Sequence, residues 1–453
     1  MDVFEQAIGV VQNNVSNASS PGYVTQTLNL DSLGFNPAGN LWGGVQAGST
    51  TSARNSNAEE AVWTQNEMLG TATAQASSLA SLQSAFDVTG DTGVPAALNG
   101  LYAAFSAWST SPDDVTTRQQ VLAAAQGVTQ AFNQTASSIE QVRSQTDRSL
   151  QSTVDEINQL TGQIAAMNGQ IRNGAGHDAG LNAQLYNTLE QLSNLASISV
   201  RTESDGTATV LLDGQAALVV GQKQTQLQLS YQSSGNVNLN AAPAAHILTS
   251  EGQDVTPIVT QGHLAGLLQF RNTTLPSVIG DGQQQGSLNQ LAQGVADTVN
   301  GLLASGSGIP LFTYSSGSAT AVAASLSVNP AITGPQLVAG TSTAANGIAD
   351  QLAQLATAPA LTVNGVSLSF TDFYSNTAAA IGAQASNASA AQQTQTQLLT
   401  QVQSMRAQVS GVSLNEQATQ LLQFQQAYEA SAQLISIISS TTNYLMSAMQ
   451  QVA

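Results

Sequence analysis

Positive charge is almost missing from this sequence: nine Lys and Arg in 453 residues, with Lys223 the only lysine, against 27 Asp and Glu. Charged residues make up 8% of the chain, where about 25% is usual, and the net charge is −18. So few cations cannot neutralise a run of phosphates, which argues against nucleic acid as a partner. An anionic membrane surface is disfavoured for the same reason. Cysteine is absent, which excludes disulfides, thiolate nucleophiles, zinc–thiolate sites and iron–sulfur clusters. No apolar run approaches the ~18 residues of a membrane span, so no membrane insertion is expected. The start, Met1-Asp2-Val3-Phe4-Glu5, lacks a basic region followed by an apolar one, so any export is expected by a route other than a cleavable secretory signal.

What is present is ordinary apolar content, 42% before glycine is counted, enough for a core. The length is a prior of roughly three domains at about 150 residues each. Solubility rests on Gln, Ser, Thr and Asn. Two readings of that surface stay open: an extracytoplasmic protein that avoids charge, or a subunit packed among copies of itself, where like charges would repel.

The two chain ends share a pattern. Phe4, Ile8, Val11, Val15 and Ala18 are spaced by alternating steps of four and three, the heptad spacing that keeps an apolar seam on one helix face. That stripe stops at Asn17-Ala18-Ser19-Ser20-Pro21-Gly22, a cluster of turn formers. Near the other end Ser413-Leu414-Asn415-Glu416 has the form of a capping box. After it Leu414, Ala418, Leu421, Gln425, Tyr428, Ala432, Ile435, Ser439, Thr442, Met446 and Met449 continue in the same alternating steps. A lone helix with an apolar seam is marginal in water and needs a partner. Pairing the two ends as a coiled coil predicts a nested architecture with the middle of the chain looped outward.

Between the ends the spacing predicts an extended segment with one hairpin over 23–53, and helix from about residue 58. A further helix start is read at Ser111-Pro112-Asp113-Asp114, with serine as N-cap, proline at the first helical position and two acids on the positive end of the dipole. Val128, Phe132, Ile139 and Val142, then Leu150, Val154, Ile157, Leu160, Ile164, Met167 and Ile171, keep one face apolar until Asn173-Gly174-Ala175-Gly176. Unbroken from Pro112 to Arg172, the helix would be roughly 90 Å long at 1.5 Å per residue, which predicts a rod-like middle. A shorter helix follows over 181–196. Period-two alternation around Asp205-Gly206 predicts a hairpin. Helix is expected again over 264–270, 287–304 and 370–409, and residues 305–345 are weakly patterned. The expected fold is mainly α with a β-containing outer part. Its domains are drawn as 1–55 with 411–453 (terminal assembly), 56–200 with 262–304 and 346–410 (long helices), and 201–261 with 305–345 (outer).

Residues that could carry chemistry are sparse. His177, His246 and His263 lie in no metal-ligand spacing, and His177 reads as a loop residue. No nucleophile elbow or phosphate-binding glycine loop is present. Asp113-Asp114 reads as dipole compensation, and Glu59-Glu60 as a solvated helix start rather than an acid–base couple. No enzyme activity, catalytic residue, metal or cofactor is expected.

Asn13-Asn14-Val15-Ser16-Asn17, followed by Pro21-Gly22-Tyr23 and Gln26, resembles the Asn-Asn-x-x-Asn…Pro-Gly-Tyr-x-x-Gln signature of flagellar axial proteins. Gly411, Ser413 and Glu416, in Ser410-Gly411-Val412-Ser413-Leu414-Asn415-Glu416-Gln417, are similar to the C-terminal box of that group, as is Leu421-Leu422-Gln423-Phe424-Gln425-Gln426-Ala427-Tyr428. Asp91-Thr92-Gly93…Leu98-Asn99, Ser111-Pro112-Asp113-Asp114…Arg118-Gln119 and Gly266-Leu267-Leu268-Gln269-Phe270-Arg271 resemble the hook-associated protein 1, or FlgK, family. The matches span nearly the whole chain in order. Fewer residues precede Asn13-Asn14 than the family usually has. The family's Asp-Gln-Arg-Asp stretch is Ala183-Gln184-Leu185-Tyr186 here, and the aspartate frequent after the Ser-Leu of the C-terminal box is Asn415.

The resemblance implies a structural adaptor between flagellar hook and filament, lying outside the cell and exported through the flagellar type III channel. It implies termini that pair only in the assembled tube. The implied partners are copies of itself in a ring, the hook protein, the second junction protein, and an export chaperone on the C-terminal helix at about 414–449. The inner interface is then expected on Phe4, Ile8, Val11 and Val15 with Leu414, Leu421, Tyr428, Ile435 and Met449. Two alternatives stay open: another axial subunit (second junction protein or hook protein), or a surface adhesin built on axial termini. The long helix after Ser111 argues against hook protein.

Overall fold

A computed structural model describes residues 1–36, 41–86, 92–175, 178–232, 242–306, 308–315, 319–363 and 365–452. His177 and Asp91 lie outside the described residues. The chain is mainly helical with small antiparallel sheets, and it divides into two compact units, each assembled from separated segments.

The first unit comprises residues 1–66, 159–225 and 396–453. Helix α1 (Asp2–Ser16) leads into a hairpin of β1 (Gln26–Asn36) and β2 (Leu41–Ser52), with a register shift between Leu28 and Leu30. The expected hairpin thus fills most of 23–53. Helix α2 (Ser56–Ser84) begins in this unit, and the end of α4 (Val115–Gln170) lies in it too. Helix α5 (Ala179–Leu195) follows, capped by Asp178, whose carboxylate accepts the Gly180 and Leu181 N–H groups. A four-stranded sheet of β3 (Ile198–Thr202), β4 (Ala208–Leu212), β5 (Ala216–Val220) and β6 (Lys223–Gln224) is paired in chain order. The period-two reading around Asp205-Gly206 is the β3–β4 hairpin, with Ile198 opposite Leu212. The unit closes with the end of α11 (Phe370–Ser410) and with α12 (Leu414–Val452).

The second unit comprises residues 67–158 and 226–395. Besides its parts of α2, α4 and α11 it holds α3 (Gly93–Thr110), α6 (His263–Gln269), α7 (Leu275–Ile279), α8 (Ser287–Ala304), α9 (Val322–Ser325) and α10 (Gly347–Gln354). Its strands form short ribbons. Strand β7 (Leu227–Gln232) pairs with β8 (Ala244–Thr249), β9 (Phe312–Thr313) with β10 (Ser327–Val328), and β11 (Leu361–Val363) with β12 (Val366–Leu368). One core runs through the unit, with Phe105, Trp108, Phe132, Phe270, Phe312 and Phe370 all inaccessible or nearly so. Residues 305–345, weakly patterned in sequence, supply Leu311, Phe312, Val322, Leu326 and Leu337 to it. Arg271 is buried in this unit and paired, its Nε donating to Asp147 Oδ1 at 2.7 Å and a terminal nitrogen to the Pro243 carbonyl at 3.1 Å.

One start signal is corrected. Ser111 is not the N-cap of the long helix: Ser111-Pro112-Asp113 is a turn, closed by the Asp114 N–H on the Ser111 carbonyl at 3.2 Å. Helix α4 begins at Val115, where the Asp114 carboxylate accepts the Thr116 N–H at 2.8 Å. Asp114 therefore satisfies a free donor of the first turn directly, rather than acting only through the dipole. The apolar stripe holds along the helix, with Val128, Phe132, Ile139, Leu150, Val154, Ile157 and Ile164 all buried.

A recurring device replaces charge inside both units. Among the described residues, five asparagine carboxamides each bond the N–H and the C=O of one residue on a neighbouring segment, as a strand's peptide would. Asn14 clamps Gln26, Asn158 clamps Leu227, Asn168 clamps Ala208, Asn272 clamps Ala245 and Asn300 clamps Phe312, all at 2.8–2.9 Å. A buried backbone donor and acceptor left unpaired would each cost about 1–3 kcal/mol. A single Asn satisfies both without a charge to desolvate.

Candidate assembly interface

The terminal motif is a hydrogen-bonded knot in the first unit. Asn14 is fully buried in α1. Its Nδ2 donates to the Gln26 carbonyl and to Gln417 Oε1, both at 2.8 Å, while its Oδ1 accepts the Gln26 N–H at 2.9 Å. The Tyr23 hydroxyl lies 2.9 Å from both the Asn13 and Asn14 Oδ1 atoms, and burial raises the pKa of that phenol. Asn17 Nδ2 donates back to the Asn13 carbonyl at 3.0 Å, which ties off the end of α1. Gln26 Nε2 donates to the Val24 carbonyl at 3.1 Å.

The exposed Pro21 and the half-buried Gly22 turn the chain between these groups. Gly22 has φ +75°, and a Cβ there would stand 2.3 Å from the Ala183 carbonyl oxygen, so only glycine fits. The C-terminal box joins the same knot. Thr25 N–H donates to the Ser410 carbonyl at 3.0 Å, and its hydroxyl to the Gly411 carbonyl at 2.8 Å. Ser413 Oγ accepts the Glu416 N–H at 3.4 Å, the forward half of the capping box.

The expected interface residues fall in three environments. Val11 is buried, with Ala7 and Asn14 on the same face of α1, whereas Phe4 and Ile8 are half-buried and Val15 is exposed. On α12 Leu421 and Tyr428 are half-buried, and the Tyr428 hydroxyl donates to Glu5 Oε1 at 3.1 Å. That carboxylate raises the phenol's pKa. Leu414, Ile435 and Met449 are exposed, Ile435 by 53% and Met449 by 68%. The structure thus brings α1 against the first half of α12 through Asn14–Gln417 and Glu5–Tyr428. The second half keeps Leu434, Ile438, Leu445 and Met446 exposed as well.

Beside the knot lies an ion cluster that sequence reasoning missed. Glu59 is buried, not a solvated helix start as its sequence suggested. Its two oxygens meet Arg54 at 2.6 Å and Arg406 at 3.0 Å, and Arg406 also meets Glu190 at 2.7 Å. Arg54 donates to the Gly22 carbonyl at 2.7 Å, and its guanidinium lies 3.6 Å from the centre of the Tyr186 ring, which stacks on Trp63. Tyr186 belongs to the stretch where the resemblance led one to look for charge, and it meets the cation with its ring face instead. Burial lowers the Arg54 pKa against the pull of Glu59. Burial also opposes charge on Arg406, but Glu190 and Glu59 outweigh it and raise the pKa. The available signal was scarcity: in a chain with eight arginines, two within reach of the terminal motifs each need an acid.

Among the described residues no group of His, Asp or Glu could hold a metal ion, and no helix is long and apolar enough to cross a membrane. Comparison with known proteins agrees with the geometry. The family model for the flagellar hook-associated protein FlgK helical domain matches residues 79–310, just over half of the chain. The chain belongs to the FlgK family of flagellar hook–filament junction proteins. The model for the C-terminal region of the FlgEFG basal-body rod proteins matches residues 403–448, which include the C-terminal box and most of α12. Flagellar hook-associated protein 1 of Bacillus subtilis is 25% identical over 478 aligned positions, covering 96% of this chain and 93% of that protein. Its counterpart in Escherichia coli is 24% identical, over 66% of this chain and 55% of its own length. The flagellar hook junction protein FlgK from Burkholderia pseudomallei shares the fold, with a TM-score of 0.65 at 17% identity over 76% of this chain and 99% of that one. FlgK is a structural family of the flagellum, and this chain has the family's helical domain and axial C-terminal region in the expected order.

Proposed function

We propose that this protein is a non-catalytic adaptor that joins the flagellar hook to the filament through its two terminal segments. Residues 1–55 and 411–453 act as the assembly part. Copies arranged in a ring meet through Phe4, Ile8, Val11 and Val15 on α1 and Leu414, Leu421, Tyr428, Ile435 and Met449 on α12, paired as a coiled coil. The observation that carries this reading is the division of α12. Its first half is tied to α1, while its second half leaves Leu434, Ile435, Ile437, Ile438, Leu445, Met446 and Met449 exposed. Monomeric proteins seldom leave such a set open. The ring is bounded by hook protein on one side and the second junction protein on the other. Before assembly the chain leaves the cell through the flagellar type III channel, with a chaperone covering the apolar seam of α12 at about 414–449.

The test is electron microscopy of cells lacking this gene, with an assay of flagellin in the medium. Bare hooks with flagellin lost to the medium are expected. Intact filaments would overturn the junction role.

A further inference from the structure

Six Asn-Gly pairs occur in the sequence, at Asn99, Asn168, Asn173, Asn300, Asn346 and Asn364. Asn364 lies outside the described residues. The other five differ sharply in surroundings. Asn168 and Asn300 are clamps, each holding both polar groups of a neighbouring residue. Asn346 donates to the Ser109 carbonyl at 3.0 Å. Asn99 is exposed but lies inside α3, where the following Gly100 nitrogen is held in helical geometry. Asn173 alone among the five is exposed, has no side-chain hydrogen bond to another described residue, and precedes a glycine outside helical geometry. Gly174 has φ +106° and ψ 0°, at the end of the wide last turn over Ile171–Ala175 that follows α4.

We propose that Asn173 is a site of spontaneous deamidation, singled out by the fold from the other described Asn-Gly pairs. The Gly174 main-chain nitrogen, giving up its proton, attacks Cγ of Asn173. A Cγ–N bond forms, the Cγ–Nδ2 bond breaks, and the side-chain nitrogen leaves as ammonia, closing a succinimide. Water then opens either carbonyl of the ring, leaving aspartate or isoaspartate with no other reactant. A glycine supplies no side chain to obstruct the attack, and its backbone explores conformations closed to other residues. At the clamped asparagines the carboxamide must first give up its hydrogen bonds. At Asn99 the nitrogen must first leave the helix.

The product matters because of its neighbours. The new carboxylate arises beside Arg172, whose Nε stands 3.7 Å from Asp205 Oδ2, so it competes for that guanidinium. It also adds negative charge at the C-terminal end of a long helix, where the dipole already disfavours it. Isoaspartate further inserts a methylene into the main chain between α4 and α5.

The folded protein is held at neutral to mildly alkaline pH, digested, and each Asn-Gly peptide followed by mass spectrometry and by enzymatic methyl-labelling of isoaspartate. Asn173 is expected to convert at least about tenfold faster than Asn99, Asn168, Asn300 or Asn346, the rate difference that one or two extra hydrogen bonds impose. The same chain in urea should lose this ranking. The Asn173→Gln variant should lose the fast product while the other sites keep their rates. Equal rates at Asn173 and at any clamped site in the folded chain would overturn the proposal. So would an Asn173 that stays intact while the urea-treated chain converts.

Discussion

Asn14 and Gln417, 403 positions apart in the sequence, share a 2.8 Å hydrogen bond between two buried carboxamides. The same Asn14 carboxamide holds both main-chain groups of Gln26. One side chain therefore joins the first helix, the start of the hairpin and the last helix. A unit that includes both chain ends needs a contact of this kind, because its parts cannot find each other locally.

Replacing Asn14 by alanine should therefore destabilise the first unit by about 3 kcal/mol, since it strands two main-chain groups and Gln417 in a dry site. Gln417→Ala should cost less, about 1–2 kcal/mol. The double variant should fall short of the sum by about 1 kcal/mol, the coupling expected of a shared buried bond. Urea unfolding gives the totals, and hydrogen exchange at the Gln26 amide gives the local effect. Strict additivity would mean that the two carboxamides are neighbours without being partners.

The Glu59 cluster predicts an asymmetry between adjacent acids. Glu59→Ala leaves two arginines without a shared partner in a buried site, which should cost about 3–5 kcal/mol. Glu60, the next residue, is exposed, and Glu60→Ala should change stability by less than about 0.5 kcal/mol. Equal urea midpoints for the two variants would show that the cluster contributes nothing to the fold.

That pair of acids also marks the limit of what the sequence discloses. Helix spans with a clear 3.6-residue period, such as α8, and the β3–β4 hairpin at Asp205-Gly206 are local facts, legible from spacing and turn chemistry. Glu59 and Glu60 look alike in sequence, and what separates them is which one the fold buries against Arg54 and against Arg406, the latter arriving from 347 positions away. The asparagine clamps are hidden for the same reason, since nothing near Asn168 announces Ala208. At the candidate interface, the motif residues Asn14, Tyr23 and Gln26 were visible as a pattern. Their role as a single hydrogen-bonded knot, and Gln417 as its far partner, required the tertiary structure. Low charge was visible from composition alone, but the use of asparagine carboxamides to satisfy main-chain groups was not.

Stability of the second unit should fall with acid through His263. This imidazole stands at the first turn of α6, and burial lowers its pKa, while Glu156 and a hydrogen bond with the Gly70 backbone oppose the shift. In the unfolded chain it protonates near its ordinary value of 6.5, so as pH falls past that point the unfolded state takes up a proton that the folded state resists. The loss begins near pH 6.5 and levels off only below the depressed folded value. Between about pH 7.5 and 5.5, above the range where most carboxylates titrate, urea midpoints should decline for the natural chain. The decline should be flatter for His263→Gln, which cannot titrate. An unchanged slope in the variant would assign the pH dependence to another group.

The exposed seam of α12 separates folding from assembly, and Ile435 is the place to test it. An aspartate at an exposed helical position costs the single chain about 0.5 kcal/mol or less, and Ile435 is 53% exposed. The same carboxylate enclosed in an apolar contact between subunits of the proposed ring would be unpaired and desolvated, a penalty of several kcal/mol repeated at every copy. Ile435→Asp should therefore leave the circular dichroism and urea midpoint of the purified protein unchanged while cells carrying it make hooks without filaments and shed flagellin. Leu421→Asp should also block assembly, but Leu421 is half-buried, so part of its effect would come from a weakened first unit. Ile435→Val keeps the apolar surface and should restore filaments. Val115→Asp, at an exposed valine on α4, should leave them intact. Normal filaments on Ile435→Asp cells would remove this stretch of α12 from the interface.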